Sequence, residues 1–538
     1  MRASRFGTWA LVAMLPFLHG IFVLAFEMDS NWDLRNYHYY NAYAWVNDRY
    51  GHDFLVASVP TFFNPTIDVP FFRVAQLWPA RAIGLVLGMV QGLNAIPIFG
   101  IAMACLARTT PKGEIEYRPG IAFGLAFLAY FGATMLSLLG TTYYDNIVSL
   151  GGLFGLWLIV AARGRLAAGG IWALAVAFAA GALGGLAIGL KLSSAIYGAG
   201  LAAAVAAVPA GSTLARLGRV AALGLGAACG FAVTGGHWAL HLWRLYANPV
   251  FPFYNHIFRS PWALFESYKH VFYLPVSATE WLTRIFAFPL AYAIDNSLTG
   301  EVEFQDHRIL AAYALLIAAA AFWWRRRRAG APEPEASLAR DAAAPVIAYW
   351  AAAYVAWIFL FGIYRYAITL EMLGPLVIVL AWDRLPLSVR WRASGAVLTI
   401  AAVVLTMQPA DWGRAAWTAR WVTTDAPPIA RPEASIVLLT GHEPYGFIVP
   451  AYPPSVRFLR IDGGFTNPAQ TEVRFNDEMR KVIAAHTGDF HALTTRVDHI
   501  SAETNLGFYG LTVDFASCRE FYSSIGNADY QLCPARRR

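Results

Sequence analysis

The sequence predicts an α-helical polytopic membrane protein with a small α/β domain at its C-terminal end. Three observations predict it. The 538 residues are 57% apolar and only 14% charged, with a mean hydropathy of +0.45, whereas a soluble chain of this size would carry about a quarter charged residues. Apolar stretches long enough to span a bilayer recur from residue 8 to residue 408. Residues 409–538 change character and read as short strands around an amphipathic helix.

The apolar stretches fall near 8–26, 82–107, 120–140, 147–162, 170–188, 192–209, 220–243, 309–324, 345–363, 367–382 and 393–408, which makes about eleven spans. Arg2 and Arg5 precede a first stretch too long for a signal-peptide core and followed by no small-residue cleavage site, so an uncleaved first span is expected. With the N-terminus in the cytoplasm, every second connection carries basic residues: Arg108, Lys112 and Arg118; Arg163 and Arg165; Arg216 and Arg219; Arg325 to Arg328; Arg384, Arg390 and Arg392. That is the positive-inside pattern. The net charge of +7 therefore reports topology and implies no nucleic-acid partner. "RRRRAGAPEPEASLARD" reads as a cytoplasmic linker, because its prolines and charges cannot bury a core. The Ala- and Gly-rich pair 170–188 and 192–209, with Lys191 between, has the least defined boundaries, and there is no internal repeat.

Three large segments fall on the opposite, outer side: 27–81, 244–308 and 409–538. In the second, "TEWLTRIFAFPLAYAI" is too short and polar to span and predicts an interfacial helix. In the third, "ASIVLLTG" and "SVRFLRIDG" predict strands, and "TEVRFNDEMRKVIAAH" predicts a helix burying Val473, Met479, Val482 and Ile483. Cys105 and Cys229 lie in apolar stretches. Cys518 and Cys533 are too far apart for a CxxC motif, and a disulfide in an oxidising compartment is expected for them.

The first outer segment opens with "MDSNWDLRNYHYYNAYAWVNDRY", residues 28–50. A helix starting near Asp33, capped by Asp29, Ser30 or Asn31, would place Tyr39, Tyr43, Val46 and Tyr50 on one face at headgroup level. Asp33, Asn36, Tyr37 and Tyr40 would share another face. First-turn acids are ordinary helix starters, so Asp29 and Asp33 also have a purely structural reading. The arrangement of an acidic helix after the first span, a long first outer loop, many spans and an outward terminal domain resembles the GT-C superfamily of membrane glycosyltransferases. "WDLRNYHYYNAYAW", "NPVFPFYNHIFRSP" and "GLAIGLKLSSA" carry the resemblance, which covers roughly residues 8–408.

The resemblance implies transfer of a sugar from a polyprenyl-phosphate donor to a glycan or lipid acceptor outside the cytoplasm. It also implies a catalytic base at the start of the first outer loop, here Asp33, with Asp29 as the other candidate. The Ala- and Arg-rich composition points to a bacterial inner membrane with the terminal domain in the periplasm. One base for the acceptor hydroxyl and one cation for the leaving phosphate suffice for an inverting displacement. Arg365 in "FGIYRYAITLEML" is the first candidate for that phosphate and Lys191 the second, each with snorkelling as the alternative. Asp145, starting the fourth span, is a second acid or a helix cap. Tyr37 and His38 are candidate sugar or phosphate contacts. In the aminoarabinose transferases of the superfamily a first-loop lysine meets the phosphate; the similar place here reads "FFNPTIDVPFF", with Asn64 and no lysine, leaving Arg73 or Lys191 to substitute. Tyr254 in "WRLYANPVFPFYNHIFRSPW", with Trp243, Asn248, Asn255 and His256, lies on a loop that could shape a substrate groove. Glu371 reads as structural. No spacing argues for a metal, and no cofactor is expected. A lipid or glycan transporter, or a non-catalytic polymer-binding protein, are the alternatives; a transporter would place its charges near the bilayer midplane.

Overall fold

The computed structural model describes residues 2–107, 118–269, 272–330, 338–470 and 472–538. Arg108 and Lys112 of the expected basic connections, and residues 331–337 of the expected linker, lie outside the described residues, as do the side chains of Arg2 and Arg5. The chain is mostly helical, with a small C-terminal sheet. Among the described residues, six helical stretches are long and apolar enough to cross a membrane: Ala80–Cys105, Gly170–Leu190, Thr213–Thr234, Arg308–Arg328, Arg340–Leu360 and Tyr364–Trp382. Gly7–Val23, Arg118–Phe131, Asp145–Ala161 and Leu192–Ala207 are apolar but shorter.

Several apolar stretches are interrupted rather than continuous. The stretch at 120–140 leaves helix at Gly132 and resumes over Ala133–Ser137. The stretch at 220–243 divides at Gly235 into Thr213–Thr234 and Gly236–Tyr246. Between Gly170–Leu190 and Ala195–Ala207 the chain is extended at Lys191, then makes one 3-10 turn at Leu192–Ser194. Small residues let Gly170–Leu190 and Thr213–Thr234 touch backbone to backbone: a Cβ at Gly181 would overlap the Leu223 carbonyl, and one at Gly226 the Phe178 carbonyl. Large apolar side chains on the outward helix faces, among them Leu11, Ile171, Trp172, Leu214 and Val233, are exposed. The expected interfacial segment forms a helix, Ala278–Ile294, that buries Phe288 and Tyr292 and exposes Leu282, Phe286, Leu290 and Ile294 at four-residue spacing.

Strand β1 (Met28–Asp29) pairs antiparallel with β2 (Arg414–Ala415), fastening the first outer segment to the start of the tail. The tail then builds a sheet from β3 (Ser435–Leu439), β4 (Arg457–Arg460), β5 (Asp489–Thr495), β6 (Leu511–Val513), β7 (Arg519–Phe521) and β8 (Tyr530–Arg537). Its order is β4-β3-β5-β8-β6, with β7 also on β8; β4, β3 and β5 are parallel, and β8 runs antiparallel to β5. The helix expected after β4 spans Arg474–Ala485 and buries Val473, Met479 and Ile483, with Val482 half-buried. Cys518 and Cys533 form a disulfide.

Alternation along β3 divides its side chains between two cores. Val437 and Leu439 join Tyr37, Tyr40 and Tyr43 of the first outer segment, whereas Ile436 and Leu438 join Phe62, Trp238 and Met479. The headgroup-level expectation for the tyrosines is thereby corrected. Tyr39 and Tyr43 are buried, packed around Phe72, while Tyr50 is half-buried against Trp238. Their periodicity marks an apolar face correctly, but the layer covering it comes from the far end of the chain, around Phe447 to Tyr452.

Candidate functional site

Two acids four residues apart have different fates. Asp29 is wholly buried and accepts hydrogen bonds from the Asn31 backbone N–H (3.1 Å), Asn31 Nδ2 (2.7 and 2.9 Å), the Thr142 N–H (2.9 Å) and Thr142 Oγ1 (2.9 Å). Burial pushes its carboxyl above the usual range, and the bonds from Thr142 and Asn31 oppose that rise. Oδ1 is spent within the loop on Asn31, and Oδ2 ties Thr142 to the first outer loop. Asn31 also supplies the helix cap, its Oδ1 accepting from the Leu34 N–H at 2.7 Å. Asp33 makes no cap bond. Leu34–His38 winds as a π-helical turn before Tyr39–Val46 continues as α-helix, and Tyr37 Oη donates to Asp33 Oδ2 at 3.2 Å.

Asp33 faces Arg365. Nη1 of Arg365 lies 3.2 Å from Asp33 Oδ2 and 3.9 Å from Asp145 Oδ2. Asp145 in turn pairs with Lys191, Nζ to Oδ1 2.8 Å, and the same ammonium donates to the Tyr143 carbonyl at 2.8 Å. The four residues singled out from separate helix ends thus meet in one cluster. Burial pushes the Asp33 carboxyl up, Arg365 draws it back and Glu301 adds to the rise. The carboxylate of Asp145 caps nothing either, because the turn before its helix is made by Tyr144 in a left-handed conformation. Arg365 is buried, so it does not snorkel. It is brought inward where Arg340–Leu360 ends: Gly362 turns with φ 69°, and Tyr364–Ala367 forms a 3-10 turn. Aromatic faces enclose the guanidinium, with ring centroids at 4.4 Å for Tyr143, 5.1 Å for Tyr366 and 5.6 Å for Trp412.

Two members of the cluster escaped sequence reasoning. Glu301 binds the other edge of Arg365 bidentately, Oε2 to Nε 2.6 Å and Oε1 to Nη2 3.1 Å. "GEVEFQD" before a span is a signal that an acid is near, but nothing in it separates Glu301 from Glu303 or Asp306. Asp68 is the second: its Oδ1 lies 2.7 Å from His38 Nδ1, both side chains being buried. Burial holds the His38 imidazole well below its ordinary pKa, with Lys191 and Arg365 adding to the effect, so the ring is neutral. Burial raises Asp68 well above the carboxylate range, Lys191 opposing and Asp33 reinforcing that rise. Among the described residues, His38 Nε2 is buried without a hydrogen-bond partner.

The remaining candidates make no ion pair or hydrogen bond with Arg365, Asp33 or Asp145 among the described residues. Asn64 Nδ2 donates to the carbonyls of Gly189 and Thr234 at 2.7 and 2.8 Å, tying the first loop to two helix ends. Arg73 is exposed on the helix Asp68–Leu77. Tyr254 is partly exposed in a left-handed turn under Lys269. Glu371 is structural: its oxygens accept from the Thr134 and Met135 N–H groups, both at 2.9 Å, capping the short helix after Gly132. Among the described residues, no group of three or more His, Cys, Asp and Glu is arranged to hold a metal ion.

A void of about 10 Å³ lies beside Arg365, walled by Thr134, Ser137, Glu301, Tyr364 and Trp412. Next to it, sharing Phe304, opens a cleft of about 490 Å³ lined by groups that include Asn296, Glu303, His307, Gln408 and Asp411. No family model, curated protein or solved structure matches this chain.

Proposed function

We propose that this chain is a GT-C-type integral membrane glycosyltransferase that moves a sugar from a polyprenyl-phosphate donor to an acceptor hydroxyl on the periplasmic side of a bacterial inner membrane. The observation that carries the reading is the convergence of Asp33, Arg365, Lys191 and Asp145. Six spanning-length helices among the described residues and an exposed apolar surface on their outer faces support a bilayer setting, with about eleven spans once the four shorter apolar helices and the helix Val389–Leu405 are included. The disulfide between Cys518 and Cys533 supports an oxidising compartment for the tail.

In this reading the acceptor oxygen attacks the anomeric carbon, its proton passes to Asp33, and the bond from that carbon to the phosphate oxygen breaks. The lipid phosphate departs as an anion met by Arg365 and Lys191, giving a single displacement with inversion. Burial favours Asp33 as a base by raising its proton affinity. Tyr37 fixes its orientation, and Asp145 holds Lys191 in place. The test is transfer by the purified full chain from a panel of radiolabelled polyprenyl-phosphate sugars. Asp33→Asn is expected to lower the rate about 10²–10⁴-fold; an unchanged rate refutes the role of Asp33, and absence of transfer or donor binding across the panel refutes the class.

One observation favours a second reading, a lipid or glycan transporter. Three helices are interrupted next to buried charges, at Gly132, Lys191 and Gly362, and transporters use broken helices to build binding sites. Movement of a labelled lipid across vesicles without bond cleavage would favour that reading over the first.

A further inference from the structure

Three carboxylates, Asp33, Asp145 and Glu301, surround two cations, Lys191 and Arg365. An anionic ligand brought to Arg365 would meet an excess of negative charge unless one carboxylate withdrew. Geometry selects which one. Asp145 is 1% exposed, begins a helix and is bound to Lys191, while Asp33 adjoins the π-helical turn and is 14% exposed. Glu301 is 28% exposed and belongs to a loop between the short turn Asn296–Leu298 and the helix Arg308–Arg328, where it walls the small void beside Arg365 that shares Phe304 with the 490 Å³ cleft. Glu301 also takes the Nε and Nη2 edge of the guanidinium, whose two parallel N–H groups match two oxygens of a carboxylate or a phosphoryl group equally well. Asp33 and Asp145 lie instead toward Nη1.

Resting on the phosphate-binding reading of Arg365, we infer that Glu301 is a built-in stand-in for the phosphoryl group, occupying the Arg365 fork in the resting protein and leaving it when a phosphorylated ligand binds. The fork is kept desolvated but neutralised, so the arginine is never left buried and unpaired. Its cost is apparent affinity, since only the fraction of molecules with Glu301 withdrawn is competent to bind. It also excludes weak anions, because a ligand must out-compete a tethered carboxylate.

The test is binding of farnesyl phosphate, and separately of inorganic phosphate, to the detergent-solubilised full chain. Glu301→Gln is expected to bind farnesyl phosphate about tenfold more tightly than wild type, and Glu301→Ala likewise, by removal of the competing anion. Glu301→Asp, with its shorter arm, is expected to fall between. Adding Arg365→Gln to Glu301→Gln should abolish the gain. A gain for inorganic phosphate as well would locate the effect at the phosphoryl group, and a gain for farnesyl phosphate alone would show that the lipid must enter with it; both support the stand-in. If wild type binds farnesyl phosphate and neither Glu301→Gln nor Glu301→Ala binds it more tightly, the stand-in is wrong while the phosphate site survives. If no protein, wild type included, binds either compound, the phosphate reading falls and this inference with it.

Discussion

Asn substitutions at Asp29 and Asp33 should separate a structural acid from a functional one. At position 29 an amide keeps one acceptor oxygen but presents N–H groups where the second oxygen now receives the Thr142 N–H and Oγ1. An unsatisfied buried N–H costs about 1–3 kcal/mol, and the remaining bonds lose their charge assistance at roughly 1 kcal/mol each. The sum is about 3–4 kcal/mol. At position 33 the same change leaves Arg365 with Glu301 and Asp145 and leaves Tyr37 an oxygen to donate to, so the loss is about 1–2 kcal/mol. The assay is the melting midpoint of the purified chain, followed by tryptophan fluorescence, beside sugar transfer or donor binding. Asp29→Asn is expected to lower the midpoint by roughly 3–4 °C, at the unfolding entropy of about 1.1 kcal/mol/K that a chain of this length implies, while Asp33→Asn stays within about 2 °C and loses transfer. A large stability loss at position 33 with none at position 29 would refute the assignment of roles.

Arg365→Lys keeps the charge but cannot grip two oxygens at once, so donor binding is expected to weaken about tenfold with the melting midpoint lowered; equal affinity would mean that charge alone matters. His38 is held neutral in the folded state. Its depressed pKa contributes stability above the unfolded value near 6.5 that is lost as pH falls, because the unfolded chain then binds a proton that the folded chain refuses. Wild type should therefore lose about 2 kcal/mol more than His38→Gln between pH 7.5 and pH 5 in matched urea melts, and parallel pH curves would contradict this. Gly132→Ala would drive a Cβ into the Glu371 carboxylate and disturb the cap on Thr134 and Met135; a loss of about 2–4 kcal/mol is expected in the same melts.

What could be read from the sequence was what depends on neighbours in the chain. Apolar length located helices, a short apolar run located β3, alternation located β4, and the helix Arg474–Ala485 stood out by its periodicity. The cluster was legible for a related reason. Asp33, Asp145, Lys191 and Arg365 are each ionisable residues at the end of an apolar stretch on the same expected side, so a rule about helix ends selects all four without knowing that they touch. Glu301 and Asp68 follow no such rule. Their importance comes from Arg365 and His38, which lie sixty-four and thirty residues away, and an acid in a polar loop looks like any other. The burial of Tyr39 and Tyr43 was hidden likewise, because their cover combines Phe72 with residues beyond 420 that are remote in the chain. Asn64 was reached through a resemblance that points to a position; the two carbonyls it binds, of Gly189 and Thr234, are distant in the chain and could not be read from its neighbours.

The interruptions join the legible part to the hidden part. A helix that stops inside a low-dielectric region leaves N–H and C=O groups that must be answered. Here charged side chains meet backbone beside the breaks: Glu371 takes the N–H groups of Thr134 and Met135, and Lys191, at the break after Gly170–Leu190, donates to the Tyr143 carbonyl in the turn before Asp145–Ala161. Once a cation is drawn in to satisfy backbone, its own charge needs a counter-ion, and Asp145 supplies it at 2.8 Å. Arg365, brought in by the turn at Gly362, adds a second positive charge beside the first, and Asp33 and Glu301 balance that one. The cluster is therefore the electrostatic consequence of broken helices, and a broken helix is the one feature that apolar length alone conceals. Restoring helix through position 132 or 362 should consequently disperse the charges as well as strain the backbone. Gly362→Ala is the sharper case, because φ is 69° there and a Cβ would overlap the Tyr273 carbonyl. It should lower phosphate-ligand affinity even though residue 362 touches no ligand in the proposed mechanism, and an unaffected affinity in a folded Gly362→Ala protein would show that the turn does not position Arg365.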